Sequence, residues 1–208
     1  MSMISSWPIL SITTFLPLCG AFFILLISKE NENNTSNFNV KTVSLWTSIM
    51  TFLISIILLI NFDFSNEGFQ FEEISAWIPK LGVGYHLGID GISLPFILLT
   101  TFLIPVCILS SWNSIKHRIK EYMISFLVLE TFIIGMFCSI DLIVFYIFFE
   151  AVLIPMFLII GIWGGLNRVY AAFKFFLYTL LGSVLMLVAI IYIYQLTKTL
   201  NIIELNQF

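Results

Sequence analysis

"VFYIFFEAVLIPMF", residues 144–157, holds one carboxylate, Glu150, among thirteen residues with no other formal charge. Followed outward, the uncharged flanks run from Leu142 to Asn167. A helix needs about 20 mainly apolar residues to cross a bilayer, so this stretch is long enough to span one with an acid inside it. The whole chain agrees with that solvent. Of its 208 residues 60% are hydrophobic and 10% charged, far from the roughly one-quarter charged balance of soluble domains. The sequence predicts an all-α integral membrane protein.

Six spans are expected, at 7–27, 42–60, 92–112, 122–139, 141–163 and 171–195. The first follows a polar start, "MSMISSWPIL", with no basic leader and no small-residue cleavage pattern, so it reads as a retained helix. The fourth and fifth are joined almost directly and form an antiparallel hairpin. Residues 61–88 form an outer-side loop in which Phe69, Phe71, Ile74 and Trp77 alternate in part. Residue spacing leaves a short strand and an interfacial segment both open there.

Basic residues set the orientation. With the N-terminus outside, the inner loops hold Lys29, Lys41, Lys116, Arg118, Lys120 and Arg168, and the outer ones only Lys80 and Lys198. The acidic loop residues Asp63, Glu67, Glu72 and Glu73 then lie outside.

Depth now gives the acids their meaning. Glu150 comes nine residues after Asp141, roughly 13 Å into a hydrocarbon core about 30 Å thick. Glu130, eight residues into the fourth span, is also near the middle. A Glu stem is too short to reach headgroups from there, and a charge at a helix centre costs about 2.5–3.5 kcal/mol on insertion scales. Both acids should therefore face protein or water. Desolvation penalises the ionised form of such a group, which suits it to a reversible proton relay. The blander reading is a carboxyl that hydrogen-bonds between helices. Pro155 lies five residues beyond Glu150 and frees the carbonyl of Ala151, giving a kink and a hydratable oxygen beside the acid. Prolines are also ordinary in membrane helices, where neighbours repair the lost bond. Lys174 reads equally as a relay and as a snorkelling cation. Asp141 and Asp90 read as helix caps, and His86 and His117 as solvated loop residues. Cys19, Cys107 and Cys138 lack CxxC or Cys/His spacing and read as packing residues, so no metal site is indicated. No basic run points to nucleic acid.

Three stretches, "YHLGIDGISLPFILLTTFLIPVCILSSW", "FYIFFEAVLIPMFLIIGIWGG" and "KFFLYTLLGSVLMLVAI", resemble in order the chain 4 family of proton-pumping NADH:ubiquinone oxidoreductase, respiratory complex I, in its mitochondrial form. The match runs from about Trp77 to Ile190. The resemblance implies the N-terminal part of an antiporter-like fourteen-helix bundle built from two inverted repeats of five helices, with the N-terminus outside. It implies that Glu150 couples with a Lys on a seventh helix. It assigns no fixed role to Glu130 or Lys174, whose positions vary in the family.

The resemblance further implies no cofactor in this chain: NADH, FMN, iron–sulfur clusters and ubiquinone bind elsewhere in the complex. Consistently, the sequence has no Gly-rich nucleotide loop and no clustered Cys. The expected partners are the other membrane-arm subunits, the lipid bilayer and a second polypeptide that supplies the missing helices, a split gene being preferred to truncation. High Phe, Ile and Asn usage fits an AT-rich organellar genome and the mitochondrial inner membrane. A multi-subunit cation/proton antiporter subunit and a purely structural membrane subunit are the alternative readings.

Overall fold

The structure, a computed structural model, describes residues 7–27, 34–66, 68–78 and 83–206. Lys29, Glu67 and Lys80 lie outside the described residues. The elements are α1 (Ile9–Leu26), α2 (Asn34–Asn61), β1 (Gln70–Ile78), β2 (Val83–Ile89), α3 (Ser93–Ser111), α4 (Ile119–Cys138), α5 (Leu142–Trp163), α6 (Arg168–Thr197) and α7 (Ile202–Leu205). Helices α1 to α6 are each long and apolar enough to cross a membrane.

Helix α2 starts at Asn34, eight residues before the expected 42. The apolar run marks only what lies in hydrocarbon, whereas a nucleated helix extends into polar sequence at little cost, one bond per added residue. Thr42 Oγ1 donates back to the Phe38 carbonyl at 2.8 Å within this extension.

At one end of the bundle, cations finish the helices. Lys120 Nζ donates to the carbonyls of Leu25 (2.9 Å) and Ile27 (2.7 Å) at the end of α1. Lys41 Nζ donates to the Trp112 carbonyl closing α3 at 2.5 Å, and Arg168 to that of Ile162 in α5 at 2.8 Å. Terminal carbonyls lack intrahelical donors and carry the negative end of the helix dipole, so basic side chains satisfy both needs. Exposed His117 offers its backbone carbonyl to Trp163 Nε1 at 3.0 Å.

The opposite end carries the segment the sequence left open. It is an antiparallel hairpin, with Glu73 opposite Leu87 and Ile74 opposite His86, and with register breaks in β1. Phe71 takes φ 56° at the first break. Tertiary contacts hold the hairpin down. Glu73 accepts from the backbone of Leu10 (2.7 Å) and Ser11 (3.1 Å), capping α1 from 62 residues away, and also from the Ser11 hydroxyl. Ile140 N donates to the His86 carbonyl at 3.0 Å, and Ile202 N to the Ile140 carbonyl at 3.0 Å. Gly88 lies under the Ile140 side chain, which occupies the place of any Cβ.

His86 corrects its reading as a solvated residue. It is buried, with Nε2 3.0 Å from Glu72 and Nδ1 3.1 Å from the Asn201 amide. Burying an imidazole is tolerable only with both nitrogens matched, and these partners supply that. Both aspartates cap: Asp141 accepts from Ile143 N at 2.8 Å, and Asp90 from Ser93 N at 2.7 Å while Ser93 Oγ bonds Asp90 N at 3.0 Å.

Two apolar clusters fill the α1–α4 bundle. Leu10, Leu58, Ile97 and Ile134 pack toward the hairpin; Ile24, Val40, Ile108 and Leu127 pack toward the basic end. Between them lies a layer of buried Ser and Thr. Cys138 is buried, Cys107 partly so, and Cys19 exposed; all are free thiols.

Candidate proton-transfer site

Helices α4 and α5 run antiparallel, joined through residues 139–141. Gly135 brings them close: a Cβ there would lie 2.5–2.7 Å from three ring atoms of Phe148. Glu130 precedes Cys138 by eight residues and Glu150 follows Leu142 by eight, so both acids sit about 12 Å in from the hairpin end. That depth matches the sequence expectation. The environments differ.

Glu150 is half-buried, and its Oε1 is shut off from the surface with no hydrogen-bond partner. Tyr146, one turn earlier on the same face, brings its hydroxyl near Glu150 and near Ser183 of α6 without closing a hydrogen bond to either. Ser183 is itself buried and donates to the Leu180 carbonyl at 2.9 Å. A carboxyl, a phenol and an alcohol in a row can pass a hydrogen bond between two helices, each being donor and acceptor by turns. Pro155 is buried on α5, and lacking an N–H it leaves the Ala151 carbonyl, next to the acid, without its helical donor.

Glu130 is fully buried, and neither carboxyl oxygen has a partner among the described residues. Lys174 is exposed on α6, its Nζ 5.9 Å from the Tyr170 ring centroid. His86 and Glu72 are hydrogen-bonded; among the described residues no ion pair joins Lys174 to either acid. The site residues are thus not gathered in one cluster. Tyr146 and Ser183 were missed from the sequence. Tyr146 had a signal, being four residues before Glu150; Ser183 had none, because its approach depends on how α6 packs on α5. No group of three or more His, Cys, Asp and Glu side chains gathers to hold a metal among the described residues.

Six apolar helices among the described residues, with a capped polar hairpin at one end and unpartnered acids at mid-span, define a polytopic α-helical membrane protein. Comparison with known proteins makes this specific. The profile described as "NADH-ubiquinone oxidoreductase chain 4, amino terminus" matches residues 12–140, and that described as "NADH:quinone oxidoreductase/Mrp antiporter, TM" matches 139–208. The chain belongs to the NADH-ubiquinone oxidoreductase chain 4 family. It is 54% identical over 96% of its length to NADH-quinone oxidoreductase subunit M of Rhodobacter capsulatus, covering 38% of that protein. It is 47% identical over 90% of its length to NADH-ubiquinone oxidoreductase chain 4 of Marchantia polymorpha, covering 37%. A chain of the solved respiratory complex I from Thermus thermophilus with bound NADH superposes with TM-score 0.79 at 26% identity, over 94% of this chain and 38% of that one. The chain therefore spans well under half the length of the curated relatives it matches.

Proposed function

We propose that this chain works in the membrane arm of a proton-translocating NADH:quinone oxidoreductase, where Glu150 relays protons in a channel completed by helices outside these 208 residues. The observation that carries this reading is the Glu150 carboxyl itself, at mid-span, with one oxygen sealed and unpartnered and the Tyr146 and Ser183 hydroxyls close by. Family membership supports the assembly. The apolar face of α6, with Leu177, Leu181 and Leu185 each 60% exposed or more, is suited to cover by further helices, on a second polypeptide, and by lipid. The chain supplies no redox centre; NADH, FMN, iron–sulfur clusters and ubiquinone act elsewhere in the complex. The basic end of the bundle faces inward and the hairpin end faces the intermembrane space of the mitochondrial inner membrane, in keeping with the positive-inside rule.

In this reading the acid binds a proton from one side, the phenol and alcohol hold the hydrogen-bonded path, and charge changes in the rest of the complex move the proton on. The test is Glu150→Gln in the assembled complex in vesicles. The amide keeps the volume and the hydrogen-bonding but cannot titrate, so protons moved per NADH oxidised should fall about tenfold or more. Undiminished pumping would refute the relay. Co-purification of the chain with a functional NADH-oxidising complex tests the assembly against a stand-alone cation/proton antiporter.

A further inference from the structure

The layer between the two apolar clusters of the α1–α4 bundle is rich in oxygen acceptors that the fold leaves unused. Pro17 of α1, Thr101 of α3 and Glu130 of α4 lie eight residues in from Ile9, Ser93 and Cys138, the hairpin-side ends of their helices. All three are buried. Each of two buried prolines strips the donor from a threonine carbonyl four residues back: Pro17 from Thr13 and Pro105 from Thr101. The hydroxyls of these threonines do not compensate, since they donate backward, to Ile9 at 2.7 Å and to Ile97 at 3.0 Å. Nearer the hairpin, Thr14 Oγ1 is buried without a partner, with Cys138 facing it outside hydrogen-bond geometry. Both Glu130 oxygens are unpartnered.

The inventory is lopsided. Two carboxyl oxygens and two carbonyls lie in and beside the layer, and there is no free hydrogen among them. An ionised carboxylate only accepts, so it cannot mend the deficit. Nor is there a cation to do so: α1 and α3 carry no charged residue, and α5 carries only Glu150. Helix α2 carries only Lys41, which is committed to Trp112 at the basic end. The remaining titratable groups on α4, Lys120, Glu121, Tyr122 and Cys138, lie two or more turns away, and those on the neighbouring helices, Cys19 of α1, Cys107 of α3 and Tyr146 of α5, supply no cation. Unmade hydrogen bonds on buried groups are costly, and what removes such a cost in a polar buried site is a bound proton together with internal water, which brings donors to several acceptors at once.

The geometry points to a second proton-binding site, hydrated and sealed inside the α1–α4 bundle, in which Glu130 binds H⁺ and internal water bridges it to the freed carbonyls. Water brings two hydrogens to the layer and the proton resides on Glu130, so no further reactant is required. The site is distinct from Glu150, which lies at the same depth on the other helix of the hairpin.

Infrared difference spectroscopy on the unaltered assembled complex tests it. A carbonyl-stretch band from a protonated carboxyl should be present, should be lost in Glu130→Gln, and should shift down within minutes of exchange into D2O. Absence of any band lost in Glu130→Gln overturns the site, as does a band that resists exchange, which would mean a dry carboxyl. A band that moves with Na⁺ concentration at constant pH overturns it in favour of a metal cation. Should Glu130→Gln fail to assemble, a density map of the unaltered complex decides: ordered water within about 3.2 Å of the carboxyl supports the site, and dry packing overturns it. The Glu150→Gln complex should keep the Glu130 band while losing pumping. The site at Glu130 and the relay at Glu150 can therefore fail independently.

Discussion

In α4, 56% of the most apolar stretch is buried within the chain; in α6 the figure is 11%. The first belongs to a four-helix bundle that closes on itself, the second to a helix that leans on α5 and leaves Leu181 and Leu185 more than half exposed. Each region holds an acid at the same depth, yet the bundle surrounds Glu130 completely while Glu150 stands on the seam toward α6. The contrast separates two ways of keeping a carboxyl in a membrane. One encloses it among helices of the same chain; the other places it at an edge, ready for neighbours that approach later. In lipid, where helix association rests on close packing more than on water exclusion, the difference should be visible in mutational cost.

The sharpest test compares leucines. Leu127 of α4 is fully buried and Leu181 of α6 is 68% exposed. Leu127→Ala should cost about 2–5 kcal/mol, the range for deleting a packed side chain that leaves a cavity. Leu181→Ala should stay within about 0.5 kcal/mol. Unfolding titrations of the chain in mixed detergent micelles measure both. Equal losses would erase the distinction between bundle and edge, whereas in the assembled complex the gap should narrow as covering helices engage.

A second test pries at the junction of the two regions. Gly135→Ala puts a methyl against the Phe148 ring, where 2.5–2.7 Å is available to a contact that wants well over 3 Å. Overpacking of this kind costs about 1–3 kcal/mol, and Phe148→Leu in the same chain should recover much of it by opening the space. Thermal unfolding followed by circular dichroism, run on the two single variants and the double, reads the coupling. Additive losses would show that α4 and α5 do not meet at this pair.

What the sequence disclosed and what it hid divide by range. The helices that became α1, α3, α4, α5 and α6 were legible within three residues at each end, because hydrocarbon thickness imposes length and composition locally. Asp90 and Asp141 were legible as caps for the same reason, their donors being two or three residues on. The hairpin was not. Its alternation is broken by the irregular turn at Phe71, and its stability comes from Glu73 reaching the start of α1 and from Ile140, 54 residues beyond His86. His86 was misjudged because one of its partners, Asn201, is 115 residues away. The depth of Glu130 and Glu150 could be counted along the chain, but the emptiness around the Glu130 oxygens emerges only when four helices are packed together. The prolines at 17 and 105 carried a local sign, each four residues after a threonine, whose meaning needed the burial of both.

The smallest effect distinguishes the hairpin end from the spans, through pH. Tyr85 on β2 has its hydroxyl 3.1 Å from Ser11 Oγ, beside Glu73 at the start of α1. Burial raises its phenol above the ordinary 10.0; the Ser11 hydrogen bond pulls it partly back, and the Glu73 charge raises it again. A group whose folded value is raised favours folding while it stays protonated. Its contribution is therefore complete below pH 10 and is lost as pH climbs through the folded value. Hairpin docking should weaken in that alkaline window and not at neutral pH. Tyr85→Phe removes the titration and at neutral pH forfeits one hydrogen bond, about 0.5–1.5 kcal/mol. Near-ultraviolet circular dichroism against pH should show an alkaline step in the unaltered chain that is diminished in Tyr85→Phe, and an identical step in both would assign it to other tyrosines. Because the mid-span acids lie about 12 Å from this end, the same step should leave the infrared signal of Glu130 unmoved, which makes the phenol a probe of the hairpin alone.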